Sequence, residues 1–158
     1  MTFTYRPFAA DDYARAHALW VATPGVGLSE ADGPAEIAAF LRRNPGLSFV
    51  AHEDGELVGT ILVGHDGRRG LIHHLVCAPR LRRRGLGREL LRRGLEALHA
   101  EGIMKCHLFV FRSNPEGLAF WRAVRGVERH ELALFSLGIA CTALPQPDRS
   151  AKRAADLG

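Results

Sequence analysis

Leu86, Leu90, Leu91, Leu95 and Leu98 recur at the three- and four-residue spacing of one helix face, so residues 85–101 are expected to form a helix with a buried leucine stripe. Directly before it stand a strand-like run at 71–77, the breaker pair Ala78-Pro79, and a segment containing Gly85 and Gly87. A strand feeding a helix that is apolar on one side calls for a sheet that the helix can cover. This pair of elements makes the chain an α/β protein.

The remaining punctuation agrees. Residues 4–8 read as an opening strand, and Ala10-Asp11-Asp12 offers caps for a helix through about Ala22. Pro34 suits the first turn of a second helix, whose Ile37, Phe40 and Leu41 repeat at helical spacing until Asn44-Pro45-Gly46 stops it. Asp54-Gly55 is a strong hairpin signal between strands at 48–53 and 57–64, and the turn His65-Asp66-Gly67 leads to the strand at 71–77. Gly102 closes the long helix. A strand at 105–111, a helix after Asn114-Pro115 and two last strands within 127–139 complete the order. The expected fold is a single mixed, mostly antiparallel central sheet flanked by helices, over residues 1–143. Residues 144–158, with Pro145 and Pro147, read as a loose tail.

With 158 residues, 47% of them hydrophobic and 24% charged, the chain can bury a core and is too apolar for disorder. The longest apolar run, 132–144, is interrupted by Ser136, Gly138 and Thr142 and is too short to span a bilayer. No signal core opens the sequence. Three widely spaced cysteines (Cys77, Cys106 and Cys141) make a disulfide framework an unattractive reading and a reducing cytoplasm the expected compartment.

Charge is concentrated in one place. Arg80, Arg82, Arg83, Arg84, Arg88, Arg92 and Arg93 lie within fourteen residues beside a single acid, Glu89, so this segment carries +6 in a chain of net +4. The rest is mildly acidic, which argues against a general nucleic-acid binder, and no aromatic stacking platform accompanies the arginines. Glycines at a helix start let an anion reach N–H groups that have no intrahelical partner, and the helix dipole and arginines favour the same ligand. A pyrophosphate fits. The dinucleotide fingerprint fails because Leu90 stands where a third glycine belongs, and a P-loop fails for want of Gly-Lys-Ser or Gly-Lys-Thr. Taken alone, an ordinary helix start that happens to be rich in glycine and arginine explains the segment equally well.

Context weighs against that plainer reading. Arg82-x-x-Gly85-x-Gly87 after Leu75-Val76-Cys77-Ala78-Pro79 resembles the acyl-CoA signature of the GNAT superfamily of N-acetyltransferases. Asn114, then Gly117-Leu118-Ala119-Phe120-Trp121, then Gly126-Val127, is similar to that family's second conserved block. The element order agrees from about residue 4 to 139. The resemblance implies that backbone groups of Leu75, Val76 and Cys77 pair with a pantetheine arm. It implies that Arg82, Arg83, Arg84, Gly85, Leu86, Gly87 and Arg88 surround the pyrophosphate, and that Asn114 hydrogen-bonds near the thioester. Proximity and a polarised carbonyl would then supply the chemistry.

The sequence departs from that pattern at Trp121, where relatives often carry a Tyr that protonates the departing thiolate. Indole N–H donates a hydrogen bond but is no usable acid. Phe109 stands where the ribosomal-protein branch carries a basic Glu. His73 and His74, neighbours on a strand, are expected on opposite faces, and His73 shares the face of residues 71 and 75. His73 is therefore the candidate base, with a packed, hydrogen-bonded strand histidine as its plainer reading. A metal site from Cys106, His107, His73 and Cys77 has no supporting ligand spacing. Glu30, Asp32 and Glu36 could attract a cationic amine, although a solvated surface accounts for them as well.

The sequence thus leads to an acetyl-CoA-dependent N-acetyltransferase acting on a primary amine, with His73, Asn114 and Trp121 as catalytic candidates and no metal. The acceptor would be a small-molecule amine or a protein amino group, with a homodimer open as the assembly and no nucleic-acid or membrane partner. The rival is a non-catalytic acyl-CoA-binding or interaction module with the same fold.

Overall fold

The computed structural model describes residues 2–139. The proposed tail at 144–158 and Cys141 lie outside them. The chain divides into two units, Met1–Gly126 and Val127–Gly158.

In the first unit, β1 (Thr4–Pro7), β2 (Phe49–Glu53), β3 (Glu56–His65), β4 (Gly70–Cys77) and β5 (Cys106–Leu108) form one sheet in sequence order. The first four strands run antiparallel and β5 runs parallel to β4, so the sheet is mixed and mostly antiparallel as the sequence implies. Helices α1 (Tyr13–Ala22) and α2 (Pro34–Arg43) precede β2, α3 (Leu86–Ala100) connects β4 to β5, and α4 (Pro115–Ala123) follows β5. Trp20, Ile37, Val50, Leu62 and Val76 form the core on the α1–α2 side. Ile61, Val63, Ile72, Leu86, Leu90 and Leu98 form the core on the α3 side. Leu95, assigned by spacing to the buried stripe, is instead 41% exposed at its margin. Among the described residues, no helix is long and apolar enough to cross a membrane.

Two expectations fail locally. The strand proposed at 105–111 pairs only over Cys106–Leu108, and residues 127–139, proposed as two strands, contain none. Leu132, Leu134, Leu137 and Ile139 in this stretch are all largely exposed. Alternation supplies a strand-like face, but a strand forms only where a neighbour accepts its hydrogen bonds.

Close approach of α3 to the sheet sets where its N-terminus lies. A methyl group at Gly94 would stand 2.9 Å from Val63 Cγ2 and 3.2 Å from Ile61 Cδ1, and one at Gly59 would stand 2.9 Å from Leu90 Cδ1. Gly94→Val should therefore overpack this seam and cost about 1–3 kcal/mol. Chemical denaturation followed by circular dichroism checks it; an unchanged midpoint would show that the seam has slack.

Candidate active site

Parallel pairing between β4 and β5 covers only Gly70 with Cys106, Leu71 with His107, and Ile72 with Leu108. Beyond that point β4 continues to Cys77 while β5 has ended, so the outer edge of His73–Cys77 has no strand partner among the described residues. The backbone of Leu75, Val76 and Cys77 thus lines an opening between strands that a linear amide-bearing ligand can enter as a strand would.

At the far end of β4 the chain turns through Pro79–Leu81 into the start of α3. Arg83 and Gly85 both take left-handed backbone, at φ +63° and +84°. Alternation of left- and right-handed residues turns successive N–H groups toward one concavity, an anion nest that runs into the free N–H groups of the helix. A methyl built on Gly85 would meet no atom within 4 Å, so the space before it is open. Gly87 serves another purpose. Its missing side chain lies 3.4 Å from both Cys77 Sγ and the Phe120 ring, allowing α3 to pack against β4 and α4. Burial pushes the Cys77 thiol up to about 12, so it is a packing group at neutral pH.

The arginine cluster separates into two populations. Arg80 and Arg84 grip the buried Glu53 at 2.8 and 3.0 Å, and Arg84 also covers the Phe3 ring. Arg82 pairs with Glu116, and Arg92 and Arg93 pair with Glu89. Arg83 and Arg88 have no acidic partner among the described residues, and both belong to the nest. Three of the seven arginines therefore brace the loop, two pair along α3, and the guanidinium groups of Arg83 and Arg88 meet no acid among the described residues. The nest, the open space before Gly85 and the free β4 edge together fit a pyrophosphate-bearing pantetheine such as CoA.

Asn114 caps α4, its Oδ1 accepting the Gly117 N–H at 2.9 Å. Its amide is also the surface on which the loop after α1 rests: a methyl at Gly25 would lie 2.7 Å from Asn114 Nδ2, and one at Gly27 2.5 Å from the Phe111 ring. Trp121 stands edge-on to Phe120, with ring centroids 5.2 Å apart. Asn114 and Trp121 thus belong to α4, whose Phe120 ring borders Gly87 of α3.

The two strand histidines depart from the simple alternation. An extra residue in β4 shifts the β3–β4 register between Thr60 and Leu62, and His74 takes φ +43°. This bulge turns both imidazoles to the α1–α2 side: His73 meets Phe40 edge-on, and His74 lies 4.4 Å from Trp20. Leu75 packs on the opposite side, against the α3 core. Opposite faces for His73 and His74, and a face shared by residues 71, 73 and 75, are therefore incorrect, because an inserted residue resets the two-residue period. Burial, and then the neighbouring His74, hold His73 below the ordinary imidazole range. Asp32 is the only one of the three loop acids found against β4, its Oδ1 2.6 Å from His74 Nε2.

Residues 13–127 match the model of the Acetyltransferase (GNAT) family. The acetyltransferase plu1384 of Photorhabdus laumondii is 34% identical over 136 residues, covering 83% of this chain and 92% of that protein. Among solved structures, Ard1 from Thermoplasma volcanium superposes with a TM-score of 0.69 at 21% identity, over 78% of this chain and 82% of that one. The PaiA N-acetyltransferase from Thermoplasma acidophilum, solved with coenzyme A, gives 0.68 at 18% identity over 78% and 89%. At these identities the two structures speak for the fold.

Hydrogen bonding, first from Arg80, holds the Glu53 carboxyl below the usual carboxylate range against the opposing effect of burial. A carboxyl whose folded-state value is depressed stabilises above its unfolded value of about 4.3, and that contribution disappears as pH falls through the folded value. Glu53→Gln should therefore melt below the wild type at pH 7, with the difference closing on acidification below about pH 4. Melting curves across this range test the brace; a gap independent of pH would show that the ion pairs do not supply it.

Proposed function

Because the chain belongs to the acetyltransferase (GNAT) family and is an N-acetyltransferase, we propose that it uses acetyl-CoA to acetylate a primary amine by direct attack of the amine on the thioester. The observation that carries this reading is the opening between β4 and β5 with an anion nest at its end, two of whose arginines have no acidic partner among the described residues.

When bound, the cosubstrate supplies an activated acyl group on a good leaving thiolate. The chain's own residues hold and orient it. N–H groups from Arg83 to Arg88, assisted by the Arg83 and Arg88 guanidiniums, bind the pyrophosphate. The free edge of Leu75–Cys77 pairs with the pantetheine amides. A backbone N–H beside the bulge polarises the carbonyl, and Asn114 steadies the loop wall opposite. Trp121 packs over the acyl end and supplies no proton, since water can protonate a thiolate. Arg82 and Arg84 act on the ligand indirectly, by fixing the loop to Glu116 and Glu53. The acceptor is a small-molecule amine or a protein amino group, reached from the side of the acidic turn near Asp32. The free thiols of Cys77 and Cys106 suit a reducing cytoplasm.

Gly85→Val should weaken acetyl-CoA binding by about tenfold or more, because a branched side chain enters the open space at a left-handed position. Calorimetry with acetyl-CoA at low and high salt measures this; salt-independent binding, or none by the wild type, would refute the cradle. Trp121→Phe should keep kcat within a few-fold, whereas a loss of about a hundredfold at unchanged KM for acetyl-CoA would give the indole a role in the transition state. Transfer against a panel of primary amines, read as CoA release, separates the enzyme from a module that only binds.

A further inference from the structure

His74 occupies a backbone conformation that residues with a side chain rarely adopt, at φ +43°. Such a residue persists only when its surroundings fix it. Here three interactions do so. Its carbonyl accepts a hydrogen bond from Thr60 Oγ1 at 2.8 Å, and the same buried hydroxyl accepts one from Trp20 Nε1 at 2.9 Å. Its ring lies over Trp20, 4.4 Å between centroids and inclined at 32°. Its Nε2 is 2.6 Å from Asp32 Oδ1.

Asp32 is fixed in turn. Its Oδ2 accepts the Ser29 N–H at 2.8 Å, and its carbonyl accepts the Tyr13 hydroxyl at 2.8 Å. Burial opposes ionisation, but hydrogen bonds, first from His74 and then from Ser29, keep this carboxyl below its usual range. A carboxylate only accepts hydrogen bonds, so Nε2 must carry the hydrogen, and Nδ1 is the basic nitrogen of the neutral ring. The pair is nearly enclosed, with 12% and 14% of its side chains exposed.

Position gives this arrangement its meaning. The bulge begins at His74, two residues after the last β4–β5 pair, where the strands have parted. The backbone of His74 thus stands where the strands part, and its fixed imidazole lies on the side of the acidic turn. We infer that His74, held as its Nε2–H tautomer by Asp32, is the base that takes the proton from the acceptor ammonium; this rests on the transfer proposed above. Nδ1 accepts one proton from the ammonium. The neutral amine then forms the N–C bond as the C–S bond of the thioester breaks, and the second amine proton leaves with the thiol or to water. His73 on β4, which burial holds below the ordinary imidazole range, neighbours the pair, and His17 and Tyr13 on α1 border the shared Trp20.

The test compares wild type, His74→Asn, Asp32→Asn and His73→Asn. Asparagine tolerates left-handed backbone, so the first variant removes the imidazole with least strain. It should lose about a hundredfold or more in kcat, lose the acidic limb of the pH profile, and keep its KM for acetyl-CoA. Asp32→Asn should lose roughly tenfold, and its ring-nitrogen NMR spectrum should show mixed tautomers in place of Nε2–H. His73→Asn should retain at least about tenfold more kcat than His74→Asn. A His74→Asn enzyme with near-normal kcat and an unchanged acidic limb, or a wild-type ring in the Nδ1–H form, would overturn the inference alone. Absence of transfer to any amine by the wild type would overturn the transferase reading and this inference with it.

Discussion

The site proposed for the cosubstrate depends on a strand pairing that stops early. Had β5 followed β4 beyond Ile72 and Leu108, the ladder would have satisfied the β4 edge and left no entrance. Instead, among the described residues, the hydrogen-bonding groups of His73–Cys77 on that side meet no strand, and an unpaired edge is a template for another extended chain. The inserted residue at His74 belongs to the same event. It bends β4 at the parting point and turns two histidines toward the α1–α2 side, where Asp32 and Trp20 hold one of them.

Electrostatics at the other end of β4 follow from how the arginines are partnered. A loop containing two left-handed residues and a dense run of like charges would not hold one shape without opposing charge. Glu53, buried under Arg80 and Arg84, and Glu116, paired with Arg82, provide that restraint. The free N–H groups and the guanidiniums of Arg83 and Arg88 are then presented by a loop already fixed in place. Preorganisation of this kind reduces the ordering cost that a flexible basic loop would incur on binding.

Much of this was legible in the sequence, for identifiable reasons. The leucine spacing of α3, the Asp54-Gly55 hairpin and the Pro and Gly stops are local signals, and they located most of the elements. The Arg82-x-x-Gly85-x-Gly87 and Asn114-to-Trp121 segments carried the family, which the match over residues 13–127 bears out. What the sequence did not disclose is non-local. A bulge depends on how two strands register, so the assignment of His73 and His74 to opposite faces followed a period that the inserted residue breaks. Which arginines are partnered depends on Glu53 and Glu116, about thirty residues away in the chain on either side. Asp32 differs from Glu30 and Glu36 only because the turn at Ser29–Asp32 brings it to β4. The strand pattern at 127–139 shows the converse, a local signal without the partner it needs.

On the function proposed, a free β4 edge and a braced nest at the start of α3 form one preorganised site for acetyl-CoA. Backbone amide NMR during titration with acetyl-CoA tests it most directly, because the N–H groups are themselves the proposed ligands. The largest shifts should fall on Arg83 to Arg88 and on His73 to Cys77, with Arg80, Glu53 and the rest of β2 nearly unmoved. Shifts confined to exposed arginines outside the nest, such as Arg92, or a loop that reorganises around Glu53 on binding, would contradict it.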